Sequence, residues 1–221
     1  MGEPRTRRLW RWLTVVVFAL ALYVIVRAAN SPQASAPPPP GAPASGSASP
    51  TGPSASATPS GYDPADYASQ ARTRARQTGI SAQLLMAILY NEAYKPHDPA
   101  LERSWQRYKP DAAFGIANMH RAAFDEVKRG RDFAGRRWEE LPDDRDLAVE
   151  AEAWYLHDLA ARLPAQWPAS YNRNELLALG YNTGPGNMLA FARGATPGRQ
   201  AQSYLDNLHT NWAKAGKAVA P

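Results

Sequence analysis

From residue 28 to residue 61 the chain carries no charge, and from Asn30 onward it is almost wholly Ala, Ser, Pro, Gly and Thr. A segment of that composition cannot bury enough apolar surface to offset its own ordering entropy, so residues 30–61 read as a disordered linker. The linker limits what the rest can build. Folding falls to residues 62–221, about 160 in all, enough for one domain with a sizeable core. As a flexible coil the linker would hold its ends about 30 Å apart. The four prolines from Pro37 to Pro40 would stiffen it further.

Ahead of the linker, Trp12 to Val26 forms a mostly apolar run of about 15 residues, between a signal-peptide core and a full membrane span in length. Arg5, Arg7, Arg8 and Arg11 precede it. With Trp10 and Trp12 at one interface and Arg27 snorkelling at the other, the run extends to about 20 residues. Residues 1–29 are therefore read as a cytoplasmic basic tip and a single-pass signal anchor in the cell membrane. The alternative is secretion after cleavage near Ala34-Ser35-Ala36, a motif far from the apolar run and followed by Pro37. On either reading the domain at 62–221 is exported.

The chain's net charge is +5, but Arg5, Arg7, Arg8, Arg11 and Arg27 against Glu3 supply +4 of it. Basicity thus belongs to the targeting segment and gives no reason to expect a nucleic-acid partner. The chain has no cysteine, which excludes a lipobox, a disulfide framework and a thiol nucleophile.

The pattern after Tyr62 is helical throughout, with no convincing strand alternation and no internal repeat. Helices are expected over 66–77, 80–93, 121–128, 144–162, 175–179, 187–192 and 200–215, joined by long loops. In the longest, Leu147, Ala151, Trp154, Tyr155, Leu159 and Leu163 form the expected buried face. The fold class is mainly α.

The stretch Ile80 to Ala93, ISAQLLMAILYNEA, stands apart. Ser81 is a good N-cap, and Leu84, Leu85, Ile88 and Leu89 recur at helical spacing. Glu92 falls next in that series, and Pro96 stops the helix close behind it. Apolar neighbours and the negative end of the helix dipole both disfavour a charge there and push the acidity toward that of a general acid. The plainer reading of Glu92 is a solvated carboxylate at the stripe's edge. Two further stretches look unlike packing: Ala113 to Met119, AFGIANM, and Gly180 to Gly186, GYNTGPG, which reads as a turn rich in glycine.

In this order, and behind an export signal, the three stretches resemble the catalytic domain of bacterial lytic transglycosylases of the soluble (Slt-like) type, which share the goose-type lysozyme fold. That family has a helix ending in Glu-Ser, then Gly-Leu-Met-Gln, then an Ala-Tyr-Asn-x-Gly-Pro-Gly turn. Leu84 to Ala93, Gly115 to Asn118 and Gly180 to Gly186 correspond, and the resemblance runs from about Gly79 to Leu189.

The resemblance implies a membrane-tethered enzyme that cleaves the β-1,4 bond between N-acetylmuramic acid and N-acetylglucosamine in peptidoglycan glycan strands. No cofactor or metal is implied. Glu92 would be the sole acid/base, Tyr181 would donate to or orient it, Asn182 would support the turn or bind sugar, and Asn118 would bind glycan, with Ala117 beside it.

Departures from the family pattern keep two other readings open. Ala93 stands where the family has serine, Ala117 where it has methionine, and Asn118 where it has glutamine. The segment from Tyr94 to Ala113 is longer than usual. Its aromatics would suit sugar stacking and its carboxylates would suit positioning a water, although packing as a loop explains most of it. A muramidase using water, or an inactive glycan-binding scaffold of the cell-wall machinery, are therefore the alternatives. His97, His120, His157 and His209 lack metal-ligand spacing. Trp138, Trp154, Trp167 and Trp212 read as core, and the pairs Glu139-Glu140 and Asp143-Asp144 as solvated charges at a helix start.

Overall fold

A computed structural model describes residues 62–95 and 97–221. The anchor and linker expected over 1–61 lie outside the described residues, as does Pro96. No described helix is long and apolar enough to cross a membrane.

The described chain is mainly α, as its periodicity indicates. Its helices are α1 (Ala68–Thr78), α2 (Ala82–Glu92), α3 (Pro99–Tyr108), α4 (Arg121–Val127), α5 (Arg145–Arg162), α6 (Arg173–Thr183), α7 (Pro185–Ala192) and α8 (Arg199–Ala218). One short antiparallel pair, β1 (Ala113–Phe114) with β2 (Met119–His120), follows α3, with Ala113 opposite His120 and Phe114 opposite Met119.

Local chemistry explains the boundaries. Ser81 accepts the Leu84 N–H at 3.3 Å to start α2, and Asp144 accepts that of Leu147 at 2.9 Å to start α5. At α6, Asn172 and Glu175 form a reciprocal capping box, which places the start of this helix before the expected 175. The segment from Tyr94 to Ala113 is not mainly loop. Asp98 caps α3 by accepting from the Leu101 N–H at 2.8 Å, and Pro99 occupies the first turn, where its missing N–H costs nothing.

α5 runs through the core and packs against α1, α2, α4, α6 and α7. Leu147, Ala148, Val149, Ala151, Ala153, Leu156 and Leu159 are all buried, so burial extends well beyond the expected face, while Trp154, Tyr155 and Leu163 are only partly covered. α2 is buried even more evenly: every residue from Leu84 to Leu89 is at 0% exposure. A one-sided stripe becomes a fully covered helix because the long C-terminal α8 lies along it. Polar bonds fix that alignment, from the Gln83 side-chain amide to the Trp212 carbonyl at 2.8 Å and from the Asn91 amide to the Tyr204 carbonyl at 3.0 Å. Trp138 is core, as expected, with its indole N–H donating to the Met119 carbonyl at 2.9 Å.

Candidate active site

The rigid end of α2 delivers Glu92 with only 6% exposure. Two side chains from other elements meet its carboxyl. The Tyr204 hydroxyl, on α8, donates to Oε1 at 2.9 Å, and the Asn118 amide, from the β1–β2 connection, donates to Oε2 at 2.9 Å. The Asn91 bonds between α2 and α8, including one accepted from Asn211 at 2.9 Å, hold Tyr204 over the carboxyl.

Asn118 is aimed by a tight turn. Its N–H donates to the Gly115 carbonyl at 2.8 Å, with φ of 72° at Gly115 and 49° at Asn118. Glycine adopts such angles freely and asparagine tolerates them better than most residues. A Cβ on Gly115 would lie 2.9 Å from Leu141 Cβ and from the Leu141 carbonyl oxygen, so the turn also needs glycine for space. The Asn118 amide additionally donates to the Tyr94 hydroxyl at 2.9 Å, and Lys95 Nζ donates to Asn118 Oδ1.

Burial pushes the Glu92 carboxyl above its ordinary range. The bonds from Asn118 and Tyr204 and the neighbouring Lys95 and His97 partly counter this. Desolvation keeps the Tyr204 phenol protonated well beyond its usual range, so it acts as a donor. The result is a carboxyl with raised proton affinity whose orientation is set from two sides.

Glu92 borders a cleft of about 390 Å³, with Tyr94, Asn118, Tyr181, Asn182, Ser203 and Tyr204 among its walls. Two neighbouring depressions share Asn182 with it, one of them also bordered by Asn118 and Tyr181 and the other by Gln200 and Ser203. The cleft is thus one part of a longer groove. Glu92 is the single carboxylate lining it among the described residues. Glu126, in a neighbouring depression, is paired with Arg162 at 2.6 Å.

The structure brings Glu92, Asn118, Tyr181 and Asn182 together, with two corrections. Ala117 does not reach the cleft. The turn that points Asn118 outward points Ala117 into the core, where it is at 0% exposure. Tyr181 lines the cleft, but its hydroxyl donates to the Ala117 carbonyl at 2.6 Å rather than to Glu92. The tyrosine on the acid is Tyr204.

GYNTGPG is also only partly a turn. Gly180 to Thr183 finish α6, Gly184 turns with φ 87°, and Pro185 opens α7. Gly180 is there for packing, since a Cβ would come within 2.7 Å of the Met188 sulfur. Exposed Asn182 borders the cleft from the last turn of α6.

A separate depression, of about 760 Å³, is walled by arginines and carboxylates near α3 and residues 136–145. Its charges mostly cancel in pairs: Arg103 with Asp143, Arg121 with Glu139, and Arg136 with both Glu140 and Asp144. It therefore offers ion pairs rather than a site poised for chemistry. Among the described residues no three His, Cys, Asp or Glu side chains are grouped to hold a metal ion. No protein-family model matches the chain, and no curated protein matches it either.

Proposed function

We propose that the chain is a membrane-tethered peptidoglycan lytic transglycosylase, its exported domain held near the membrane by residues 1–61, with Glu92 as the sole acid/base. The observation that carries this reading is Glu92 itself: one buried carboxyl of raised proton affinity, bonded by Tyr204 and Asn118, facing a polar cleft with no second carboxylate among its described walls. Paired carboxylates serve glycosidases that activate water or form a glycosyl-enzyme. An intramolecular nucleophile removes that need.

Protonated Glu92 gives its proton to the glycosidic oxygen as the bond from C1 of N-acetylmuramic acid breaks. The resulting carboxylate, steadied by the Tyr204 hydroxyl and the Asn118 amide, then takes the proton of the C6 hydroxyl as that oxygen closes on C1. The product carries a 1,6-anhydro ring and Glu92 returns to its acid form. No hydroxyl stands at Ala93, but those of Tyr94, Ser203 and Tyr204 line the cleft and supply polar contacts for sugar.

The lysozyme-like identity of the helical domain and its peptidoglycan specificity rest on the motif resemblance and the export context. Mass spectrometry of muropeptides released from purified sacculi tests the reaction. Anhydro-muramic ends released by wild type and lost in Glu92→Gln are expected. Reducing ends instead would make the chain a hydrolase, and no release from several wall types would make it a glycan-binding scaffold.

A further inference from the structure

Just past α2 lies a second buried polar arrangement that the chemistry above leaves unused. His97 is 3% exposed and has φ of 48°, a left-handed backbone uncommon outside glycine. Its Nε2 lies 3.1 Å from the main-chain carbonyl oxygen of Glu92, and its Nδ1 lies 2.9 Å from Oε1 of Glu102 on α3. The other oxygen of Glu102 accepts the Gly115 N–H at 2.8 Å. The Tyr62 ring packs edge-on against the imidazole, 4.9 Å between centroids.

Both atoms facing the ring are oxygens able to accept. A neutral imidazole donates from only one nitrogen, so both bonds form together only with an added proton between Nδ1 and Glu102. The Gly115 N–H bond favours Glu102 as a carboxylate, which leaves that proton on the ring. The location suits a cation, because the last carbonyls of a helix lack intrahelical partners and carry the negative end of its dipole.

We propose that His97 is a positioning residue for Glu92: as an imidazolium between Glu102 and the Glu92 carbonyl, it locks the last turn of α2. Through Glu102 the same clamp reaches the Gly115 turn, which aims Asn118 at the other side of the carboxyl. One buried ion pair thus sets the distance between the acid and its amide partner, and α3 exists in part to supply Glu102. The charged groups around the ring are Glu92 and Lys95 at the end of α2, Glu102 on α3, and Arg145 on α5, whose guanidinium reaches the His97 carbonyl at 3.5 Å. This inference rests on Glu92 being the acid.

The full-length protein tests it in His97→Asn, chosen because asparagine tolerates the left-handed backbone, and in Glu102→Gln. A small displacement of a reacting group costs up to about 100-fold, so His97→Asn should lower kcat by about 10- to 100-fold with KM within about threefold. The alkaline limb of its pH–rate profile should move to higher pH, because a cation favouring the Glu92 carboxylate is gone.

Side-chain nitrogen NMR reads the clamp independently of activity. Both ring nitrogens of His97 should carry protons in wild type at neutral pH, and only one in Glu102→Gln. A kcat loss with an unmoved alkaline limb, or a singly protonated ring in wild type, would overturn the proposal. Retained activity in Glu92→Gln would instead overturn the reading of Glu92 and leave the NMR result standing.

Discussion

Glu92 at the end of α2 and Glu152 in the middle of α5 are both buried, at 6% and 0% exposure, and burial pushes both carboxyls above their ordinary range. Their surroundings differ in kind. Glu92 has a donor on each oxygen and borders a cleft. Neither oxygen of Glu152 has a hydrogen-bond partner among the described residues, and the charge acting on it is that of Glu92. Two carboxyls sharing one dry region resist ionising together, and the unpartnered one holds its proton longer. Raised proton affinity is therefore no mark of a catalytic acid by itself. A working acid also needs donors that stabilise its conjugate base and a path to substrate, and Glu92 alone of the two has both.

Substituting each acid by its amide gives the largest contrast. General acid–base catalysis contributes about 100- to 10,000-fold, so Glu92→Gln should lose muropeptide release by that factor. Glu152→Gln should stay within about threefold of wild type. Equal losses in the two would break the distinction. Tyr204→Phe should have the next largest effect. A hydrogen bond to a charged group contributes about 1.5–3 kcal/mol, or about 10- to 100-fold in rate where the Glu92 carboxylate develops. Its sign is definite: the Tyr204 bond holds the Glu92 proton affinity down. Its removal should move the alkaline limb of the pH–rate profile upward. A pH–rate series on Tyr204→Phe with no such movement would mean that Tyr204 only packs.

The helical class and the end of α2 at Glu92 were readable because they depend on local signals, namely the periodicity of Leu84 to Leu89 and the Ser81 cap. α3 is also written locally, in Asp98-Pro99 followed by good helix formers and in the i, i+4, i+7 spacing of Leu101, Trp105 and Tyr108, although its short length between prolines suits a loop as well. Leu101, Trp105 and Tyr108 are 66%, 54% and 74% exposed, so this stripe marks a helix without marking a core face. Tyr204 was out of reach for a different reason. It lies 112 positions from Glu92, and only the packing of α8 along α2 brings the two together. The motif points to Tyr181, but which phenol faces a carboxyl is decided by helix rotation, and α6 turns that hydroxyl to the Ala117 carbonyl. His97 lacks metal-ligand spacing, and its partners are instead Glu102 and a main-chain oxygen, neither of which leaves a pattern in the sequence.

Glu152 yields the smallest effect, in stability rather than turnover. Its acidity in the unfolded chain is that of an ordinary glutamate, near 4.5, and folding raises it well above that value. Between those limits the folded state keeps a proton that the unfolded chain has released. The unfolded state then binds fewer protons, so stability falls as pH rises, by at most about 1.4 kcal/mol per pH unit for one such group. The contribution is complete below pH 4.5 and is lost as pH climbs toward the folded value. Glu92 adds to the slope in the same direction, with a smaller rise because Asn118, Tyr204, Lys95 and His97 favour its charged form. Urea unfolding from pH 4.5 upward should therefore show wild type losing stability toward neutral pH. Glu152→Gln, which has no proton to lose, should flatten that fall and gain on wild type toward the upper end of the range. If the slope were unchanged, Glu152 would ionise alike in both states, and the contrast between a sealed acid and a working one would lose its physical basis.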